Sequence, residues 1–578
     1  MSKKILIIFI AIIIISSGIY LYMRYHVLKA PDIATEPSKK ETILDLRPQL
    51  IAKLQQLVKE GSVGLYKLTV DQVTPDVLAS TAEIKNVSID VDSAMLKNLD
   101  EAGKLPDDIF KMKFSAIHIS GLGIADFIDK KNLSINKISI DKPVIEVFHQ
   151  SRAYNKNKRA AKENLTLYQK LSGHFTSLEI EKILLSNGKF THHNRDKKEV
   201  VSKLENVNIQ LDKILVDSST QYDASRYLFA KFSKLEAENY HVITPDNMYS
   251  FSVGKIAVSG ERRHLKANNI VFEPNGGRAA FIKKLKDRKM VFDIHIPTFE
   301  MDGIDWWALL NRDQWAGDKG YIKDATFGVY ADRRLPAPVL KQNNFPHQLV
   351  MRLPMLIDIK NLFIERSKVV YEEYNPQVDK TVTVTINRLN GTIDNITNVK
   401  STIAQNPWTK VNAKALFMNK VPLSIGVNLN LAKVSTGDFT ADILVDTLNN
   451  ELINPISELS SLFSVKRGQI QSGKAHMSGD NSIAKGNIIL YYNDLHVTPL
   501  KTIKKDNGKQ KSKHATSLVA NILFIKNSNP LKGSLRQPSF IEHRDPYTGF
   551  VKLIWTSIRA GIVKTVGIPL KIIDKNAE

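Results

Sequence analysis

Apolar residues recur along this chain in groups of eight positions, at relative positions 1, 3, 6 and 8 of each group. The residues between them are mostly polar or charged. Such octets occur from the first hundred residues almost to the end of the chain. The clearest copies begin at Ala82, Met112, Leu133, Leu178, Phe251, Leu265, Phe299, Ile357 and Leu490, and weaker copies begin at Ser202, Ala230 and Val384.

The spacing within the octet is typical of a β-strand with one irregularity. A spacing of two keeps side chains on one face of a strand, whereas the central spacing of three moves the second half to the other face. A one-residue β-bulge would restore the phase, and the octet therefore predicts bulges near Lys137, Lys182 and Asn361. The fifth position is often Asn or Gly, as at Asn86 and Gly303, which tolerate the left-handed backbone that such a bulge needs.

Ordinary bulged strands in unrelated sandwiches would show the same local pattern, but its repetition over so much of the chain favours one long sheet. The predicted fold is mainly β: an elongated, curved and bulged β-sheet groove with a few short helices, preceded by one N-terminal transmembrane helix. The apolar face of the sheet is the candidate functional site. The residues expected to line it are Ile84, Val87, Ile117, Ile135, Ile138, Ile180, Ile183, Val253, Ile256, Ile359, Leu362, Tyr492 and Leu495.

The segment Ile5–Met23 contains no charged residue. As a helix its nineteen residues would rise about 28 Å, close to the ~30 Å hydrocarbon core of a bilayer. A cleaved signal peptide is the competing interpretation, because Ser16–Gly18 are small residues. The apolar run continues beyond them to Met23, which favours an uncleaved anchor. The rest of the chain is then expected in water on one side of the membrane.

The chain divides into eight predicted segments. The last segment differs from the β regions. It is predicted to be an amphipathic helix with Val551, Ile554, Trp555, Ile558 and Ile562 on one face. That helix either lies in a membrane interface or closes one end of the sheet. The segments are the anchor (1–29), a tether and helix (30–61), a first β region (62–149), a basic linker and helix (150–175), a second β region (176–304), a Trp-rich helix or loop (305–320), a third β region with a basic loop at 501–514 (321–549), and the C-terminal helix (550–578).

Composition narrows the location and the partners. The chain has no cysteine, which excludes disulfides, cysteine nucleophiles and thiolate metal sites. A large exported protein without disulfides is more typical of a bacterial envelope than of a eukaryotic cell surface. The net charge of +22 favours an anionic partner, and the predicted anchor favours a lipid surface over nucleic acid.

Sequence motifs for catalysis or metal binding are incomplete. Gly468–Lys474 imitates a phosphate-binding loop, but Ala475 follows the lysine where a magnesium-binding hydroxyl is needed. His543–Asp545 resembles part of a kinase catalytic loop without its companion motifs. His192–His193 lies near Asp196, yet adjacent residues on a strand point to opposite faces, so an exposed hairpin tip is the favoured interpretation. We therefore expect no enzymatic activity, no cofactor and no metal site.

Three passages resemble the AsmA-like family of bacterial envelope proteins. They are LYQKL (167–171) followed by LEIEKILLSNGKF (178–190), IDIKNLFIERSKVVYEE (357–373), and SGKAHMSGDNSIAKGNIILYYNDLHV (472–497). The resemblance implies a single-pass inner-membrane protein, with most of the chain in the periplasm, that takes part in outer-membrane biogenesis and phospholipid transport. Membrane phospholipids and other envelope proteins are its implied partners. The alternative is a structural scaffold with a filled β core and no lipid transport.

Overall fold

The computed structural model describes residues between 51 and 567, with gaps of which the longest span 77–80, 124–131, 156–175, 310–313, 337–343, 455–462 and 513–525. The predicted anchor Ile5–Met23 and most of the predicted linker at 150–175 lie outside the described residues. The prediction of a mainly β chain is confirmed, with 62% of the described residues in strands and 15% in helices. Within the described ranges, no helix combines the length and apolarity needed to cross a bilayer.

The strands are numbered in chain order. Their bounds are β1 Tyr66–Asp76, β2 Thr81–Val91, β3 Asp108–Gly123, β4 Asn132–Asp141, β5 Val144–His149, β6 Ser177–Asn194, β7 Glu199–Val216, β8 Ala230–Ile243, β9 Tyr249–Ser259, β10 His264–Pro274, β11 Val291–Asp302, β12 Gln314–Lys323, β13 Thr326–Asp332, β14 Leu356–Asn375, β15 Lys380–Thr397, β16 Trp408–Phe417, β17 Val421–Asn430, β18 Phe439–Val445, β19 Leu448–Asn449, β20 Phe463–Gly479, β21 Ile483–Pro499, β22 Ile503–Asp506, β23 Lys509–Ser512 and β24 Ser539–His543.

Short helices and one 3₁₀ turn interrupt the strands. The first helix begins where Asp92 accepts a hydrogen bond from the backbone N–H of Met95 at 2.9 Å, the standard way to satisfy a free N–H at a helix start. The helices are α1 Ser93–Glu101, α2 Gly277–Lys284, α3 Pro346–Met351, α4 Lys400–Gln405 and α5 Phe550–Val566, and the 3₁₀ turn is Ala153–Asn155.

Two compact units make up the chain. Unit 1 comprises Met1–Thr244, Ser252–Ala267 and Asp305–Arg312. In it, β1, β2 and β3 pair antiparallel in chain order, and β3 also pairs antiparallel with both β4 and β5. Both β4 and β5 then run parallel to β6, which continues antiparallel into β7 and β8. Unit 1 is therefore a mixed sheet.

Octet residues of one strand lie beside octet residues of the next. One such row crosses unit 1 through seven strands, and its members belong to a single buried core or pack against it. This confirms that the octet keeps its apolar residues on one face. The row is Val73, Ile84, Ile117, Ile140, Leu185, Ile209 and Leu235.

The one-residue bulges predicted near Lys137, Lys182 and Asn361 are wrong, because the strands there are irregular without an inserted residue. Strand register is the same before and after each site, so no extra residue is inserted. Instead one residue pair drops out of the ladder, as at Gly121 beside Asn136. Gly121 is left-handed, with a φ of 66°, and a Cβ there would come within 2.1 Å of Asn136 Nδ2. The skipped residues at the three predicted sites are Asn136, Glu181 and Lys360.

Unit 2 comprises Pro245–Phe251, Asn268–Ile304 and Asp313–Glu578. Its β11 pairs antiparallel with β12 and β13, both of which run parallel to β14. From β14 the sheet continues antiparallel through β15, β16, β17, β18, β20, β21 and β24.

The connectivity from β11 to β15 repeats that from β3 to β7. Left-handed residues recur at matching places, separated by one constant offset along the chain. The hydrogen bonds recur as well: Asn208 donates to Asn206 O in unit 1, and Asn390 donates to Arg388 O in unit 2, each at 2.8 Å. The two units therefore contain an internal repeat that the octets alone did not reveal. The matched left-handed pairs are Gly121 and Gly303, Asn206 and Arg388, and Lys213 and Asn395.

Helix α5 packs on unit 2 partly as predicted, since Ile554, Ile558 and Ile562 of the predicted stripe lie against its core. Val551, which was expected on the apolar face, is 76% exposed. The buried side carries Leu553, Ser557, Ala560 and Gly561, because small residues let the helix approach the sheet closely. A Cβ on Gly561 would lie 2.6 Å from a methyl group of Ile488. This packing favours the interpretation in which the helix closes one end of the sheet.

Two segments that were predicted as a basic loop and as a Trp-rich helix or loop also contain strand residues, although Trp306 and Ala308 in the second are helical as predicted. The basic loop at 501–514 includes the two-stranded pair β22 and β23, and Trp315 in the Trp-rich segment at 305–320 belongs to β12. In both cases pairing with a neighbouring strand orders residues whose local sequence has no strong apolar alternation.

Candidate functional site

In unit 1, seven of the predicted lining residues form a closed core. None of these seven is more than 6% exposed, and Ile138 is fully buried. Their side chains pack on one another and on Ile51 and Val58, which precede β1. The core is thus filled by residues of the chain itself. The lining residues in this core are Ile84, Val87, Ile117, Ile135, Ile138, Ile180 and Ile183.

Tyr492 and Leu495 also belong to a closed core, in unit 2. The Tyr492 hydroxyl donates to Lys526 O at 2.8 Å and accepts from the guanidinium of Arg536 at 2.9 Å. Burial raises the pKa of Tyr492, although Arg536 partly opposes the shift. These contacts connect β21 to the segment before α5, so the two residues serve packing at this end of unit 2.

Four predicted lining residues remain. Val253 is buried and Ile256 is half-buried, both in the part of β9 that belongs to unit 1. Ile359 and Leu362, on β14 in unit 2, are half-buried. Ile359 lies beside Gly317 and Leu362 beside Gly320, and a Cβ at either glycine would contact Met301 or Leu362 on the same side of the sheet.

Ile359 and Leu362 begin an apolar surface that continues across β15 to β18. We call this surface the open face. Each of its residues keeps part of its side chain accessible, in contrast to the filled core of unit 1. Ladder pairing places them side by side. The open face consists of Ile359, Leu362, Ile364, Ile393, Ile396, Val411, Ala413, Ile425, Val427 and Ile443.

The exposure of this face changes along a single row of paired residues. From Leu362 on β14 to Val427 on β17 the row is half-buried. Its next members, Ala441 on β18 and Met477 on β20, are fully buried. These two share a core with Leu553 of α5. Helix α5 therefore covers one end of the apolar surface, and β14 to β17 carry the uncovered end.

The internal repeat explains part of the difference between the units. Three isoleucines on the filled face of unit 1 correspond to glycines in unit 2, at the offset that relates the left-handed residues. Unit 2 thus has less side-chain volume with which to fill its own face. The isoleucines are Ile135, Ile138 and Ile209, and the corresponding glycines are Gly317, Gly320 and Gly391.

The residues that alternate with the open face along these strands are mostly polar. A shallow trough of about 550 Å³ on the strands is lined by Phe363, Thr392, Asn412 and Asp442 and also by Ile364, Ala413 and Ile425 of the open face. The Asp442 carboxylate bonds His476 Nδ1 at 2.8 Å. Asn412 and Asp442 are exposed polar residues, whereas the open face is aliphatic, so the open face is the better candidate for an apolar ligand.

An exposed apolar segment precedes β14. Leu349 in α3 is 50% exposed, and Leu353, Met355 and Leu356 are each 40–41% exposed. Large apolar side chains that cluster at a surface commonly mark contact with a membrane, a ligand or another protein. This cluster leads directly into the strand on which the open face begins.

Comparison with known proteins leaves the family open. No model of a known protein family matches this sequence, and no curated protein is similar to it. The resemblance to the AsmA-like family therefore stays a prediction.

Proposed function

We propose that the open face binds the acyl chains of membrane phospholipids. In this proposal the chain is a non-enzymatic protein of the bacterial cell envelope, anchored in the inner membrane with most of its length in the periplasm. It binds or conducts lipid along a β-groove and serves outer-membrane biogenesis. The observation that supports it best is the continuous, half-exposed apolar surface from Leu362 to Val427.

The physical reason is the cost of leaving such a surface in water. Removing apolar surface from water contributes roughly 25 cal/mol per Å², or about 0.8 kcal/mol for each buried methylene. An acyl chain lying along the rows of β14 to β17 would remove its own methylenes and the side chains beneath them from water, and both would contribute this free energy to binding. It needs no hydrogen-bonding partner there, and the open face offers only aliphatic side chains.

A scaffold is the second candidate, and the filled core of unit 1 favours it. Residues such as Ile138 and Ile180 are at most 1% exposed and leave no room for a ligand among them. If unit 2 follows the same principle, its open face is covered by a protein partner instead of lipid. Both candidates need the open face to be occupied, but by different molecules.

Neighbouring residues on β16 separate the two candidates. Val411 lies on the open face, whereas Asn412 is exposed on the polar side. A photo-crosslinking amino acid at position 411 of the full-length protein, activated in intact cells, should capture phospholipid detectable by mass spectrometry. The same substitution at position 412 is the matched control and should capture none.

Val411→Asp gives an independent measurement. Its carboxylate retains water at this half-buried position, so the protein should fold while co-purifying phospholipid falls severalfold relative to Asn412→Asp. Capture of a protein at 411 without lipid would support the scaffold. Equal lipid in both aspartate variants, or lipid captured equally at 411 and 412, would contradict acyl binding by this face.

A further inference from the structure

A second feature lies in unit 1, away from the open face. Asp108 begins β3, His149 ends β5 and His192 lies near the end of β6. Strand β5 runs between the other two: Asp108 pairs with His149, and Val147 pairs with His192. Three side chains that are far apart in sequence thereby meet at one end of the sheet.

The ligating atoms of these residues converge. One oxygen or nitrogen atom from each lies within 4.8 Å of those from the other two. The closest pair is His149 Nδ1 and Asp108 Oδ1, at 2.7 Å, and the two imidazole rings meet edge to face with centroids 6.2 Å apart. Ligand atoms 2.0–2.1 Å from a tetrahedral zinc ion lie roughly 3.4 Å apart. Small side-chain rotations would bring all three to that spacing.

The surroundings hold His149 in the orientation that metal binding needs. Its Nε2 lies 3.3 Å from Ser151 Oγ, so Nδ1 faces the cluster. Ser151 is itself fixed, because its backbone N–H donates to Asp196 Oδ2 at 2.9 Å. Histidine ligands of metals are characteristically held in this way, through a hydrogen bond on the second ring nitrogen.

The adjacent histidine serves another role. His193 lies on the opposite face of β6, where it stacks on Phe148 with centroids 4.6 Å apart and contacts Glu146 at 3.3 Å. The hairpin tip expected for both histidines begins only after Asn194. His192 is half-buried within the strand.

We propose that Asp108, His149 and His192 bind a divalent transition-metal ion, with zinc as the best candidate. Two imidazoles and one carboxylate suit zinc and non-haem iron. Three protein ligands leave one position of a tetrahedral ion free for water or an anionic ligand. On the same face of the sheet the site borders Phe110 and Val147, which are at most 6% exposed and keep its inner side dry.

The test is zinc binding by the full-length protein in detergent. After treatment with a chelator and its removal, the protein is titrated with Zn²⁺ by calorimetry, and bound Co²⁺ is followed by its visible absorption. We expect one zinc ion per chain. His192→Asn should weaken binding by about tenfold or more, while His193→Asn, one residue away on the other face, should bind like the parent.

Thermal unfolding of each variant guards against a loss of fold. Should His192→Asn fail to fold, Asp108→Asn replaces it with the same expected loss. A parent protein that takes up no stoichiometric zinc at micromolar concentration would overturn the proposal. Equal loss of zinc in His192→Asn and His193→Asn would do so too, as would undiminished binding in folded His192→Asn.

Discussion

A charge placed on the apolar face should act differently in the two units. Ile138 is fully buried in unit 1, whereas Ile393 on the open face of unit 2 is half-buried. Both are isoleucines on the apolar face of strands that are paired on both sides. Replacing each with aspartate therefore compares a filled core with an open surface, using the same chemical change.

Ile138→Asp should lower the free energy of unfolding of unit 1 for two reasons. Losing a fully buried isoleucine costs about 2–5 kcal/mol in comparable cores. An aspartic acid left there without a hydrogen-bond partner adds about 1–3 kcal/mol even when it is protonated. The total of roughly 3–8 kcal/mol is comparable to the whole stability of a typical domain, ~5–15 kcal/mol. Unit 1 should unfold or come close to it.

In unit 2 the carboxylate of Ile393→Asp retains contact with water. The loss is then mainly that of partial apolar burial, about 1–2 kcal/mol. Urea denaturation followed by circular dichroism gives the overall stability of each variant. Hydrogen exchange of β3, β4 and β6 shows whether the loss in Ile138→Asp is confined to unit 1.

The outcome that would refute this reasoning is specific. If Ile138→Asp kept the parent's denaturation midpoint and the parent's protection of β4, the core of unit 1 would have to be accessible to water. If Ile393→Asp were as damaging as Ile138→Asp, the open face would be closed in solution.

Two further predictions concern packing and pH. Gly561→Val should loosen α5, because its Cβ would start 2.6 Å from Ile488; overpacking of this kind costs about 1–3 kcal/mol, and an unchanged urea midpoint would show that the helix is not held at this contact. Burial lowers the pKa of His347 in the folded protein to about 4, whereas a histidine in the unfolded chain has a pKa of about 6.5. Between these two pH values the unfolded chain binds a proton at His347 and the folded chain does not, which favours unfolding. Stability should therefore fall as the pH drops from about 6.5 towards 4, and His347→Leu should remove that part of the pH dependence in thermal unfolding; a parent and variant with parallel profiles would contradict it.

Much of the fold follows from local pattern. The octet repeats a spacing that only strands can use to keep apolar residues together, so it indicated both the β class and the shared face of Ile135, Ile138, Ile180 and Ile183. In some octets the fifth position also marked where the backbone becomes left-handed, as at Asn86, where φ is 48°, but Lys137, Lys182 and Asn361 are not left-handed. These are properties of a few consecutive residues, and sequence is sufficient for them.

The way in which the strands pair with one another could not be predicted from the local sequence pattern. Whether a spacing of three needs an inserted residue depends on the neighbouring strand, and here neighbours such as Gly121 and Asn136 change phase together and keep the register. The contact stripe of α5 depended on how closely the helix could approach Ile488. The absence of a side chain at Gly561 allows this close approach. The sequence pattern indicated only which residues of the helix are apolar.

The candidate sites show the same division. Octets in both units predicted apolar faces, but only the tertiary structure decided that one face is filled by its own isoleucines and the other is left half-open beside α5. The cluster of Asp108, His149 and His192 depends on β5 pairing with two strands at once. Parallel pairing of β5 with β6 joins residues more than forty positions apart, and no spacing within either strand reveals it. Sequence thus determined which residues face the same way, and the long-range pairing of strands determined what they meet there.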